Sequence, residues 1–179
     1  MDKKYIPIGI SSFRILLSPL FLYLLSVDKK TFGFVVLVLG AVTDFLDGYV
    51  ARSLNATSKF GELIDPLADK VFVNCVMWGI YAYVTPLPST LITAIILSVR
   101  DIFLLFGGAY ITFLKKNLEI KPVYMSKICT ALIFILCCLV LFIKKNNTYI
   151  ILLNYFVIFL ICTTMIMYIL RYIKNKKKS

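Results

Sequence analysis

Two short stretches hold the residue types from which chemistry can be built. Thr43-Asp44-Phe45-Leu46-Asp47-Gly48-Tyr49-Val50-Ala51-Arg52 is followed, after eight residues, by Gly61-Glu62-Leu63-Ile64-Asp65-Pro66-Leu67-Ala68-Asp69-Lys70. Asp44 and Asp47 are three residues apart and Asp65 and Asp69 four apart, so on helices each pair projects from one face, one turn separated. A polar link from Ser53 to Lys59 between the two helices makes a hairpin on which the four carboxylates can converge. Hard oxygen ligands select Mg²⁺, Mn²⁺ or Ca²⁺, and two such ions would cancel four carboxylates while leaving positions open for phosphate oxygens, the two-metal arrangement of phosphoryl transfer.

The setting of these aspartates is apolar. The chain has 179 residues, 60% hydrophobic, with a mean hydropathy of +0.90, a composition that excludes an ordinary soluble domain of this size. Apolar runs near the length that crosses a bilayer recur at about 6–27, 32–51, 60–84, 88–114, 125–143 and 148–170. The expected fold is therefore an all-α integral membrane protein with six transmembrane helices, forming a single catalytic domain over residues 1–179. The first run follows Lys3 and Lys4 as a signal peptide would, but it carries Arg14 and lacks a small-residue cleavage pattern, so it reads as the first span.

With six spans both termini share a side. Lys3, Lys4, Arg52, Lys59, Lys115, Lys116, Lys121, Lys127 and the stretch Arg171 to Lys178 fall there, against Lys29, Lys30, Lys144 and Lys145 on the other. The bias places both termini and the aspartate hairpin in the cytoplasm. The net charge of +11 lies at helix ends and in a lysine-rich tail, which suits anionic membrane lipids rather than nucleic acid. Five cysteines and no histidine, with no paired ligand spacing, read as packing residues. Asn55-Ala56-Thr57 matches a glycosylation sequon but lies in a cytoplasmic link, where it has no function.

An aspartate at the centre of a bilayer costs about 2.5–3.5 kcal/mol on insertion scales, so the cluster has to be offset. Arg52, Lys59 and Lys70 could do so in a structural ion network, but that leaves the small residues Gly48, Ala51 and Gly61 unexplained. Divalent cations account for more. Gly48 and Gly61 let a ligand approach the backbone, although either alone reads as a helix-packing contact. Pro66 interrupts the hydrogen-bond ladder and is expected to kink the helix or start it afresh.

Taken together, D-x2-D-G-x2-A-R-x8-G-x3-D-x3-D resembles the signature of the CDP-alcohol phosphatidyltransferase family at all eight fixed positions. The resemblance implies that Asp44, Asp47 and Asp65 hold two divalent cations, Mg²⁺ or Mn²⁺. It also implies that Asp69 touches the second metal and serves as base for the acceptor hydroxyl, and that Gly48, Ala51, Arg52 and Gly61 cradle the CDP moiety. A homodimer in the bacterial inner membrane is likewise implied, with CDP-diacylglycerol as donor and CMP as leaving product.

For the acceptor, Arg14 and Arg100 lie inside apolar runs and Lys127 opens the fifth helix, where they can bind an anionic group or snorkel to the headgroups. Ile6-Pro7 with Ser11-Ser12-Phe13-Arg14, and Ser126-Lys127-Ile128-Cys129-Thr130, resemble the branch that makes phosphatidylglycerophosphate from glycerol 3-phosphate. That branch often carries Arg-Glu and a further arginine in its fourth helix, whereas this chain has Arg100-Asp101 and no cation from Phe103 to Gly108. Arg100-Asp101 and Leu118 to Lys127 look closer to the CMP-forming cardiolipin synthases, whose acceptor is phosphatidylglycerol. Two other classes compete. A divalent-cation transporter would spread its carboxylates over discontinuous helices of two repeats, and a membrane scaffold would need neither the aspartates nor an embedded arginine.

Overall fold

In an apolar surrounding every backbone N–H and C=O must find a partner within its own segment, so apolar runs of this length become helices. The computed structural model has six long ones: α1 Tyr5–Ser26, α2 Lys30–Leu54, α3 Gly61–Gly79, α4 Pro88–Leu114, α5 Tyr124–Phe142 and α6 Thr148–Lys176. The structure describes the backbone of residues 5–54, 61–114, 124–143 and 147–176, and the side chains of residues 9, 12–43, 67–107, 125–143, 147–170 and 173. No strand occurs among the described residues. All six expected runs are helical. By length and composition three of the helices are apolar enough to cross a membrane, over Pro88–Gly107, Met125–Phe142 and Thr148–Leu170; α1 and α2 contribute the shorter apolar stretches Ser12–Ser26 and Lys30–Thr43.

Local chemistry sets the ends. After α1 the chain turns on Asp28, whose φ of 55° is the left-handed conformation that short polar side chains tolerate. Lys29 N donates to Leu24 O (2.8 Å) and Asp28 N to Leu25 O (3.0 Å), the paired bonds that satisfy the last carbonyls of a helix. Pro88 opens α4, where its missing N–H has no cost. Of the two outcomes expected at Pro66, a kink or a fresh start, the helix does not start there: the helical backbone of α3 runs through it from Gly61. The apolar run continues past Gly79 as a π-helical turn, Ile80–Val84, closed by Thr85 N donating to Ile80 O at 2.8 Å. The sequence has no signal for that widened turn.

The helices close into a ring in which α1 packs on α2 and α3, α3 on α4, α4 and α5 on α6, and α5 on α2. Phe72 of α3, fully buried, sits near the middle and stacks on Phe134 of α5 with ring centroids 6.3 Å apart. Its ring fills the space beside Gly40 of α2, which a side chain there would occupy. Gly40 is one turn before Asp44, so this close approach sets how near the two acidic helices come. Cys129 and Cys137 are buried, and all five cysteines are thiols, in keeping with their reading as packing residues.

Gly40→Ala pushes a methyl into the Phe72 ring, and overpacking of this kind costs about 1–3 kcal/mol. Thermal unfolding in detergent should show Gly40→Ala melting below wild type. Gly107→Ala, at a helical position with open space around it, should melt at or slightly above it.

Candidate functional site

The backbone places Asp44 and Asp47 one turn apart on α2, and Asp65 and Asp69 one turn apart in the first half of α3, as their spacing predicts. The side chains of Asp44, Asp47, Asp65 and Arg52 lie outside the described residues, as does the surround of Gly48, Ala51 and Gly61. Among the described residues no group of three acidic or thiol side chains comes together to hold a metal. Asp69 is described: its side chain is one-third exposed, and its Oδ1 stands 4.0 Å from Nη1 of Arg14.

Arg14 reaches Asp69 because α1 packs along α3 and both residues lie in the first half of their helices. Its side chain is only 2% exposed, so its charge is met inside the protein rather than at the headgroups. The structure thus sets Arg14 beside the aspartate expected to act as base.

A second ionic group joins α3 to α4. Both oxygens of the buried Asp101 are engaged. Oδ1 accepts from Arg100 Nε at 3.0 Å and Nη2 at 2.8 Å, and stands 3.7 Å from Lys70 Nζ. Oδ2 accepts from Asn74 Nδ2 at 2.8 Å. Arg100 is itself buried, with Nη1 3.6 Å from the Sγ of Cys129 on α5. Charge-assisted contacts of this kind are strong in a low-dielectric interior. Lys70 lies between the two groups, within electrostatic range of Asp69 as well as of Asp101 and Arg100.

Of the three cations expected to meet the acceptor, Arg14 and Arg100 are buried within the bundle, on α1 and α4. Lys127 is not gathered with them: it is exposed near the start of α5 and forms no ion pair among the described residues. Sequence reasoning missed Asn74, Ser98 and Trp78, and treated Asp101 only as a variant of Glu. A signal was present, since Lys70, Asn74 and Trp78 are spaced i, i+4 and Ser98 and Asp101 i, i+3 in otherwise apolar helices, but it does not say which helix faces which.

A bundle of apolar helices, with acidic pairs along two of them and ionic contacts between helices, is the architecture of a membrane-embedded protein. Residues 4–170 match the model of the CDP-alcohol phosphatidyltransferase family, and the chain belongs to that family. It is therefore a membrane-embedded transferase. One similar protein is a CDP-diacylglycerol--glycerol-3-phosphate 3-phosphatidyltransferase of Aquifex aeolicus, 34% identical over 125 residues, which cover 70% of this chain and 68% of that one. A protein of the same name from Rickettsia typhi is 37% identical over 76 residues, 41% of this chain and 43% of the relative. The human cardiolipin synthase (CMP-forming) is 32% identical over 148 residues, covering 73% of this chain and 48% of the relative.

Removing Asp101 leaves the buried Arg100 without its carboxylate and takes one from the half-buried Lys70, and breaking a buried pair in this way costs about 3–5 kcal/mol. Asp101→Ala should therefore lose stability on that scale in detergent unfolding. A loss under about 1 kcal/mol would mean that solvent reaches the pair.

Proposed function

We propose that this protein transfers the phosphatidyl group of CDP-diacylglycerol to glycerol 3-phosphate, forming phosphatidylglycerophosphate and releasing CMP. The observation that carries the choice of reaction is the likeness to the Aquifex aeolicus enzyme over 70% of the chain. The geometry is compatible with an anionic acceptor: among the described side chains Arg14, Lys70 and Arg100 face two carboxylates, Asp69 and Asp101.

Asp44, Asp47, Asp65 and Asp69 offer only oxygen donors in two one-turn pairs, a set that suits two hard divalent cations, Mg²⁺ or Mn²⁺. When bound, such ions neutralise the diphosphate and the leaving CMP. Asp69 takes the proton of the acceptor hydroxyl as that oxygen bonds to the lipid-side phosphorus and the bond from this phosphorus to the CMP oxygen breaks. Arg14 orients the Asp69 carboxylate from 4.0 Å away. Gly48, Ala51, Arg52 and Gly61 receive the CDP moiety, and Arg100 and Lys70 the acceptor phosphate, with Lys127 nearer the cytoplasmic mouth. The lysine distribution supports both termini and the site on the cytoplasmic side of a bacterial inner membrane, where the protein acts as a homodimer.

A second reading, CMP-forming cardiolipin synthesis with phosphatidylglycerol as acceptor, is favoured by the match to the human enzyme and by Arg100-Asp101 in place of Arg-Glu. CMP release by purified protein with CDP-diacylglycerol and Mg²⁺ separates the two. Turnover with glycerol 3-phosphate supports the first, and turnover with phosphatidylglycerol alone supports the second.

Asp69→Asn should lower CMP release by at least about 10²-fold, the scale of a lost general base, with the melting curve retained. Chelation of divalent cations should abolish release, and Mg²⁺ or Mn²⁺ should restore it. Full activity under chelation would sink the metal-dependent mechanism.

A further inference from the structure

The chain has a single tryptophan, Trp78, on α3. Its indole is 39% exposed, yet it is tied to the ionic group at Asp101 by an unbroken line of hydrogen bonds. Trp78 Nε1 donates to Ser98 Oγ at 3.1 Å, Ser98 Oγ donates to Asn74 Oδ1 at 2.7 Å, and Asn74 Nδ2 donates to Asp101 Oδ2 at 2.8 Å. Asp101 Oδ1 then meets Arg100 and Lys70.

The direction of this line follows from donor chemistry. An indole N–H only donates, so Ser98 must accept from it and turn its own hydrogen away. That hydrogen is shared between Asn74 Oδ1 at 2.7 Å and Ala94 O, one turn back, at 2.8 Å, and the amide nitrogen of Asn74 faces Asp101. The reversed amide would set oxygen against a carboxylate oxygen. Asn74 Nδ2 also donates to Lys70 O at 2.9 Å, so both its hydrogens are used and the amide has one satisfied orientation.

We propose that Asn74 and Ser98 are positioning residues: they hold the Asp101 carboxylate so that Arg100 and Lys70 are presented to the acceptor's anionic group, and Trp78 at the far end reports occupancy of that seat. The proposal rests on the reading of Arg100 and Lys70 as the acceptor's cationic seat. A purely structural role is the competing account, since polar contacts between membrane helices average well under 1 kcal/mol and serve mainly as glue. Glue alone would weaken donor and acceptor kinetics together, whereas a clamp on Asp101 acts on the acceptor alone.

The test is steady-state CMP release by full-length protein in detergent, using whichever acceptor supports turnover, with KM measured separately for donor and acceptor. Loss of the hydrogen bond to the Asp101 carboxylate predicts that Asn74→Ala raises the acceptor KM about tenfold, and Ser98→Ala, which removes a neutral hydrogen bond to Asn74, raises it by about threefold or more. The KM for CDP-diacylglycerol should stay within about twofold, and Ser98→Thr, which keeps the hydroxyl, should restore the acceptor KM. An unchanged acceptor KM in Ser98→Ala overturns the proposal, as does an equal rise in both KM values. No CMP release by the unaltered protein with either acceptor overturns the reading of the reaction instead.

A second measurement needs no stable Asn74 variant. Adding glycerol 3-phosphate or phosphatidylglycerol without donor should shift the Trp78 emission saturably in unaltered protein, and Ser98→Ala should abolish the shift. Flat emission from unaltered protein that turns over with that acceptor overturns the coupling.

Discussion

An ion drawn into an apolar bundle has to be met by another ion and by hydrogen bonds, because water is not there to do it. Asp101 is where this constraint bears hardest. Its carboxylate receives Arg100 twice, Asn74 once and Lys70 at slightly longer range, so one buried acid satisfies two cations and one amide. Those partners come from α3 as well as α4, which means the charge balance cannot be satisfied unless the two helices meet in a single register. Greasy packing alone tolerates sliding and rotation; a shared carboxylate does not.

The helix that profits most is α3. It carries Asp65 and Asp69 in its first half, then Lys70, Asn74 and Trp78 down the side that meets α4, while Phe72 anchors it in the centre against α2 and α5. Arg14 approaches from α1. The same nineteen-residue helix thus carries two of the four clustered aspartates and takes its orientation from its neighbours. The π-helical turn that follows at Ile80–Val84 buries Ile80 and Val84 in the core while keeping Tyr83 outward, continuing the apolar run to the Pro88 end of α4.

A second polar contact repeats the principle two turns earlier on α4. Thr93 Oγ1 lies 3.1 Å from Asn154 Oδ1 on α6, and both residues are buried. The two contacts hold α4 toward α6 near its start and toward α3 at its middle. Arg100 is thereby fixed on a helix restrained on both sides.

The sequence by itself determined a good deal. Hydropathy runs located all six helices, because burying unsatisfied backbone is so costly that a run of that length has no other option. The i, i+3 and i, i+4 spacings placed the two aspartate pairs on helix faces, and their pattern identified the family. Helical periodicity, however, stops at the single helix. It did not say that Arg14 would face Asp69, that Lys127 would stand apart from Arg14 and Arg100, or that Asn74, Ser98 and Trp78 would line up on Asp101. Nor did it show that α3 would end in a π-turn. Those outcomes depend on which faces of separate helices come together, and that was decided by close approaches such as Gly40 on Phe72 and by the need to pair each buried charge, both properties of the assembled bundle rather than of any one segment.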